Sequence, residues 1–440
     1  MTLLPFFVVL LISIGTCYFT SRQKGDYFLA DRSIGWLPLF GSFLGTQVGV
    51  GFVLGGTDAV WAQGIVGCFY GLGLAIGMLV LSLGYARRLR ICNVSTLPDL
   101  LEQRYNSPGF RKLGTVLSIF SLGGILVAQA VGLQKFLVSL GYSSELLFLF
   151  LWGSVVLYTM FGGLRALVWV DLIQAFAIVT ILFATFYWSI LPHWSEVQAG
   201  MCAPVVWNDH AVSSLLMPIF YIFVGEHMAQ RCFSAKTPKI ASSAAIATSF
   251  SLFILLVIPL SCGILAKTLN ISSENGSIFM QVMQLLTNPA LFTFASCAVL
   301  LAIVSTTSAI LLAVSSNLTQ DTRLENGKMI TFFVGIAAIF GAALGSDIIS
   351  WIVAGYEVSV GALLVPLLVA VFSSKEELPS SAAWGSAVCG FVGVFVSYHL
   401  LSGVWYTITP LLFSSFGFSV CWGYSQLSEK QTVASQMAIE

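Results

Sequence analysis

The stretch AIVSTTSAILLAVSSN, residues 302–317, sets four hydroxyls side by side in an otherwise apolar run: Ser305, Thr306, Thr307 and Ser308. Hard cations take oxygen ligands. Ser305 and Thr306, with the Ala302 carbonyl one turn back, could share an ion with backbone carbonyls freed in the glycine-rich second span. The alternative is that each hydroxyl bonds a carbonyl of its own helix and does nothing else. A second chemical group is Asp171, in LVWVDLIQAF. A carboxylate inside such a run is either a cation ligand or proton carrier, or an interfacial group paired with the nearby Arg165. Glu226 and Glu357 also fall within apolar runs, where each could hold a positive group of a solute, pair with another side chain, or be protonated. Asp58 lies nearer the end of its run, where solvation suffices.

These groups need elements that carry them through lipid. Hydrophobic residues are 57% of the chain and charged ones 9%, with mean hydropathy +0.92. A soluble domain carries about 25% charge. The expected class is therefore an all-α polytopic membrane protein. Runs close to the ~20 residues that cross a bilayer place thirteen spans at about 4–21, 36–62, 65–86, 113–138, 144–162, 167–190, 211–231, 238–266, 289–318, 329–345, 348–373, 381–402 and 406–423. The run from Leu4 has no preceding basic residue and no small-residue cleavage site, so it reads as a retained span rather than a signal peptide.

Lys and Arg orient the chain. With the N-terminus outside, seventeen fall in cytoplasmic segments, Arg165 and Arg231 among them, and only Lys135 and Lys267 lie toward the outside. The C-terminus is then cytoplasmic. The expected organisation is a first span and loop at 1–35, a five-helix unit at 36–190, an external loop at 191–210, a second five-helix unit at 211–373, two peripheral spans at 374–423 and a tail at 424–440.

Two spans are irregular. The second reads SFLGTQVGVGFVLGGTDAVWAQG from Ser42 to Gly64 and holds glycines at 45, 49, 51, 55, 56 and 64. Each Gly in a helix interior costs about 1 kcal/mol relative to Ala. The seventh, MPIFYIFVGEHMAQRCF at 217–233, breaks at Gly225 before Glu226 and His227. Interrupted helices at matching places in two halves point to a transporter's central site, with unwound carbonyls facing an ion. Taken alone, the second span equally suits close helix packing, because Gly51 and Gly55 have GxxxG spacing; the matching break in the seventh favours unwinding. GVGFVLGG and YGLGLAIG follow no strand and give no nucleotide fold. The nine cysteines and four histidines form no metal or disulfide spacing, and no nucleophile–base set is present. An enzyme and a nucleic-acid partner are not expected.

Four stretches resemble the sodium:solute symporter family: GDYFLADRSIGW (25–36), GGLRALVWVDLIQ (162–174), QRCFSAK (230–236) and AIVSTTSAILLAVSS (302–316). The resemblance implies thirteen helices, with helices 2–11 forming the 5+5 inverted repeat of the LeuT-type fold. It implies a multi-pass carrier that couples sodium to uptake of a small organic solute by alternating access; the lack of N- and C-terminal extensions is compatible with a bacterial inner membrane. Sodium is then the coupling ion and no other cofactor is expected. Carried over by position, its ligands are the carbonyls of Gly45, Val48 and Ala302 and the hydroxyls of Ser305 and Thr306. A second sodium site of some relatives maps to Asp171, Ser305 and Ser308, although Ala309 stands where such a site has another hydroxyl. The solute would lie near Gln47, Gly49, Phe52, Tyr221, Glu226 and His227, with Tyr356 and Glu357 contributing. Asp31 replaces a family glycine. Glu226 and His227 stand where relatives carry neutral amides, so the sugar-binding pattern is not recognisable and an amino acid or another amine-bearing solute is the expectation. Rival readings are proton coupling through Asp171 or Glu226, and a non-transporting nutrient sensor on the same scaffold. Oligomeric state is not legible.

Overall fold

A computed structural model describes residues 26–201, 211–272, 276–322, 327–343, 345, 347–375 and 377–437, with isolated positions 7, 11 and 15. The first expected span, residues 202–210 of the external loop and Arg323 therefore lie outside the described residues. Among those described, eight helices are long and apolar enough to cross a membrane, nine if one bent pair is a single span.

Two of the eight are too long to be one crossing. Residues 145–201 form a 57-residue helical run and residues 51–92 a 42-residue run. At 1.5 Å per residue these would reach roughly 85 and 63 Å, against a hydrocarbon core of about 30 Å. Each carries a glycine at positive φ: Gly163 (φ 65) and Gly64 (φ 72). These breaks stand where the sequence separates the fifth span from the sixth and the second from the third.

The helices used below are α1 Trp36–Gln47, α2 Gly56–Gln63, α3 Phe69–Val80, α4 Pro108–Ser139, α5 Glu145–Thr185, α6 Ala211–Val224, α7 Glu226–Ser234, α8 Pro238–Leu255, α9 Pro289–Thr322, α10 Gly327–Ala342, α11 Ile348–Phe372, α12 Ser380–Leu400 and α13 Gly403–Met437. The tenth expected span, 329–345, ends at Ala342; its sixteen residues reach only about 24 Å. The external loop expected at 191–210 contains a short helix of about two turns, Trp194–Met201.

Helix α9 is the axis of the bundle, its most apolar window wholly buried. Helices α1, α4, α5, α7 and α10 surround it, so every face of α9 meets protein. That is why hydroxyls are tolerated along it. Gly41 and Gly45, four residues apart, share one face of α1. A Cβ at Gly41 would lie 2.6 Å from Leu172 Cα, and one at Gly45 2.8 Å from Ser305 Oγ. Close packing and local unwinding, the two readings of this glycine-rich stretch, thus both operate in it.

Gly163 fixes the fifth-to-sixth turn. Its φ/ψ of 65/173 belongs to a region essentially reserved for glycine, and a Cβ there would lie 2.9 Å from the ring of Tyr27. Tyr27 is itself bound on both sides of the turn, donating its hydroxyl to the Met160 carbonyl (2.9 Å) and accepting the Leu164 N–H (2.8 Å). Gly163→Ala is expected to cost about 1–3 kcal/mol, read as a lowered thermal midpoint in detergent; an unchanged midpoint would remove the turn from the fold's stabilising features.

Candidate functional site

Helix α1 stops at Gln47 because Val48 takes φ −83, ψ 59. The last carbonyls of a helix lose their regular donors. Leu44 keeps one, from Val48 N–H, while Phe52 and Val53 N–H both donate to Gly49 as helical structure resumes. Gly45, Thr46 and Gln47 are left at a helix end in the middle of the protein.

Helix α9 meets this end, and its four hydroxyls divide. Thr307 donates to the Ile303 carbonyl (2.6 Å) and Ser308 to the Ser305 carbonyl (3.0 Å), both within α9. Thr306 instead donates to the Thr46 carbonyl of the unwound segment (3.2 Å), and Ser305 to Asp171 Oδ1 (2.9 Å). A Cβ at Gly49 would collide with Thr306 Oγ1. With their protons directed to Thr46 and Asp171, the Ser305 and Thr306 oxygens have lone pairs available beside the α1 end. Neutral hydroxyl and carbonyl oxygens of this kind fit a hard monovalent cation.

Asp171 is fully buried and is not paired with Arg165, which binds Asp31 Oδ2 (2.8 Å), Ser33 Oγ and the Ala30 carbonyl. Its partner is Arg231, 3.3 Å away and 1% exposed. The Asp171 Oδ2 atom also accepts Ser42 Oγ (2.6 Å), and Ser42 in turn accepts Arg231 Nε (2.8 Å). Arg231 was expected among the loop cations; it is an internal residue. Segment 26–34 lies over the end of α7, with Ile34 N–H donating to the Ser234 carbonyl and Gln230 Nε2 to the Phe28 carbonyl. That cover shields what the sequence presents as a helix terminus.

The broken seventh span is the pair α6 and α7, bent 45° at Gly225. Tyr221 and Tyr356 stack with ring centroids 3.7 Å apart, and His227 lies 6.0 Å from Tyr221. His227 is buried, and its Nδ1 has no hydrogen-bond partner among the described residues. Gln47 Nε2 reaches Met228 Sδ at 3.7 Å, and Phe52 is buried nearby against Gly71. Tyr70, which the sequence reading missed, packs on Gly51: a Cβ there would lie 3.0 Å from Tyr70 Oη. Nothing local marks Tyr70 apart from its place in an apolar span.

Two expected solute residues are engaged elsewhere. Glu226 Oε2 accepts the Leu97 N–H at the start of the short helix Leu97–Tyr105 (2.9 Å). Neighbouring helical residues point about 100° apart, so Glu226 faces that helix while His227 faces Tyr221. Glu357 accepts the Tyr406 hydroxyl of α13 (2.9 Å), one position round from Tyr356 and turned to the peripheral helices. Asp58, expected to be solvated, pairs with Lys135 of α4 (3.0 Å) and accepts the Ile278 N–H.

The model of the sodium:solute symporter family matches residues 27–329. Among curated proteins, a sodium/glucose cotransporter of Vibrio parahaemolyticus is 27% identical over 204 residues, 43% of this chain and 36% of that protein. Sodium/glucose cotransporter 2 of Rattus norvegicus is 27% identical over 180 residues, 40% of this chain and 26% of that protein. The chain thus spans only about a third of the length of the curated relatives it matches. In fold it is similar to a substrate-bound, outward-open Na+-coupled sialic acid symporter, with TM-score 0.76 and 14% identity over 94% of this chain and 96% of that one. A nucleobase-cation-symport-1 family transporter in a closed conformation with bromovinylhydantoin bound gives 0.63 at 11% identity, over 92% and 94%.

Proposed function

The chain belongs to the sodium:solute symporter family, and from that premise we propose that it couples sodium entry to uptake of a small organic solute by alternating access. One observation carries the reading. Of four adjacent hydroxyls on α9, two leave their own helix: Thr306 bonds the Thr46 carbonyl at the unwound end of α1, and Ser305, bonded to Asp171, packs on Gly45 of α1. With the carbonyls of Gly45, Val48 and Ala302 they make the proposed sodium site. Sodium bound there ties α1 to α9, and the solute site lies alongside on the same unwound segment and on Tyr221, so each ligand raises the other's affinity by the same factor. Uptake runs inward if the Lys and Arg asymmetry orients the chain; without Arg231 it stands at sixteen to two.

For the solute, the candidate contacts are the Tyr221 and Tyr356 faces, His227 Nδ1, Gln47, Gly49 and Phe52. The tyrosine stack closes this space, so binding must part the rings or seat the solute against their edges. The amine expectation drew on Glu226 and His227 together, and of these the Glu226 carboxylate serves the Leu97 N–H. An uncharged solute that donates to or accepts from His227 suits the site better.

Thermal melting of the purified protein, in sodium against potassium and with pooled solutes, tests the proposal. Glucose, proline, choline, betaine, sialic acid and pantothenate make a first pool. Ligand at 100 times Kd stabilises by about 2.7 kcal/mol. The expected result is a solute shift that appears only in sodium and is lost in His227→Ala. A solute shift equal in both salts would overturn sodium coupling in favour of a proton-driven or uncoupled carrier.

A further inference from the structure

The Asp171 carboxylate already accepts hydrogen bonds at both oxygens, and its charge is already paired. Oδ1 accepts Ser305 and Oδ2 accepts Ser42, with the Arg231 guanidinium 3.3 Å from Oδ2. Ser308, the expected third ligand, donates to its own helix at the Ser305 carbonyl. Ala309 brings no hydroxyl. The guanidinium is held as firmly as the carboxylate, through Nε to Ser42 Oγ (2.8 Å) and Nη1 to the His227 carbonyl (2.8 Å). Both side chains are essentially inaccessible to water. A sodium ion added here would place two positive charges on one buried carboxylate, and only one would be compensated.

We propose that Arg231 is a tethered cation standing in for the second sodium, so that each chain binds one sodium ion. The inference rests on the sodium-coupled reading above. It gives a single-sodium carrier an internal charge on α7, the broken helix, that reaches Asp171 on α5 and, through Ser42, α1. It also links the buried pair to the sodium site, because the Asp171 oxygen that directs the Ser305 proton belongs to the carboxylate Arg231 neutralises.

Equilibrium binding of radioactive sodium to the purified protein counts the sites. One ion per chain is expected. Two ions would overturn the inference and leave sodium coupling standing, whereas none would overturn the sodium reading itself. Arg231→Gln releases the carboxylate and is expected to raise the count to two, with the concentration dependence of sodium stabilisation steepening from first order toward second. A folded Arg231→Gln protein that still binds one ion would show that Arg231 holds no cation's place. Should that variant fail to fold, Asp171→Asn combined with Arg231→Gln removes both charges and is expected to keep the count at one; a count of two in this pair would overturn the inference, since the extra ion would then need neither the carboxylate nor the vacated guanidinium.

Discussion

Ser305→Ala combined with Thr306→Ala is expected to abolish sodium-dependent uptake and sodium-dependent stabilisation while the protein still folds. Two of five proposed ligands are removed. An interaction with a charged group is worth about 1.5–3 kcal/mol, so the pair accounts for about 3–6 kcal/mol of sodium binding. At 1.4 kcal/mol per tenfold, affinity falls by roughly 10²- to 10⁴-fold, beyond any practical sodium concentration. The structural cost is smaller. Asp171 keeps Ser42 and Arg231 when the Ser305 hydroxyl is gone; the lost bond to its carboxylate contributes about 1.5–3 kcal/mol and the Thr306 bond to a neutral carbonyl about 1 kcal/mol. Thr307→Ala with Ser308→Ala is the matched control, because those hydroxyls bond only within α9. Sodium stabilisation survives in the control pair and is lost in the first. Equal losses in both pairs would mean that the hydroxyl run acts through helix stability, and the ion assignment would fall.

The second large effect is on folding. Arg231→Met leaves Asp171 buried opposite a methionine, and breaking a buried pair by deleting one partner costs about 3–5 kcal/mol. In potassium the variant's melting midpoint should drop well below that of the parent protein. Replacing both charges, Asp171→Leu with Arg231→Met, should recover most of that loss, since an apolar pair of similar volume is often no less stable than the ions. Ser42 would then lose two partners at once, which limits the recovery. A double variant as unstable as the single one would show that the geometry of the network, rather than uncompensated charge, sets the cost.

The contrast between these two experiments follows what a chain writes locally and what it does not. Apolar runs of bilayer length, the glycine content of the second span, the interruption at Gly225 and the hydroxyl cluster of α9 are properties of neighbouring residues, and each is legible without coordinates. They were sufficient for the helical membrane class, the two broken helices and the pairing of the second span with the ninth. The four family-like stretches added the expected ligand set; of its hydroxyl members, Thr306 bonds the Thr46 carbonyl of α1 and Ser305 bonds Asp171 of α5.

Partner choice was not legible. Whether a hydroxyl bonds its own helix or its neighbour depends on which way it faces, and adjacent positions differ by about 100°. Ser305 and Thr306 find acceptors 134 and 260 residues away, while Thr307 and Ser308 do not leave α9. Glu226 and His227 diverge for the same reason. Arg231 deceived the sequence reading in another way: it ends an apolar run, the usual mark of a loop, but segment 26–34 folds back across it and Asp171 waits 60 residues upstream. Composition and periodicity determine what the bilayer requires of each helix separately, namely length, apolarity and satisfied backbone groups. The charges and hydroxyls inside the bundle answer to a different requirement, that every buried polar group find a partner, and those partners exist only once distant helices have packed.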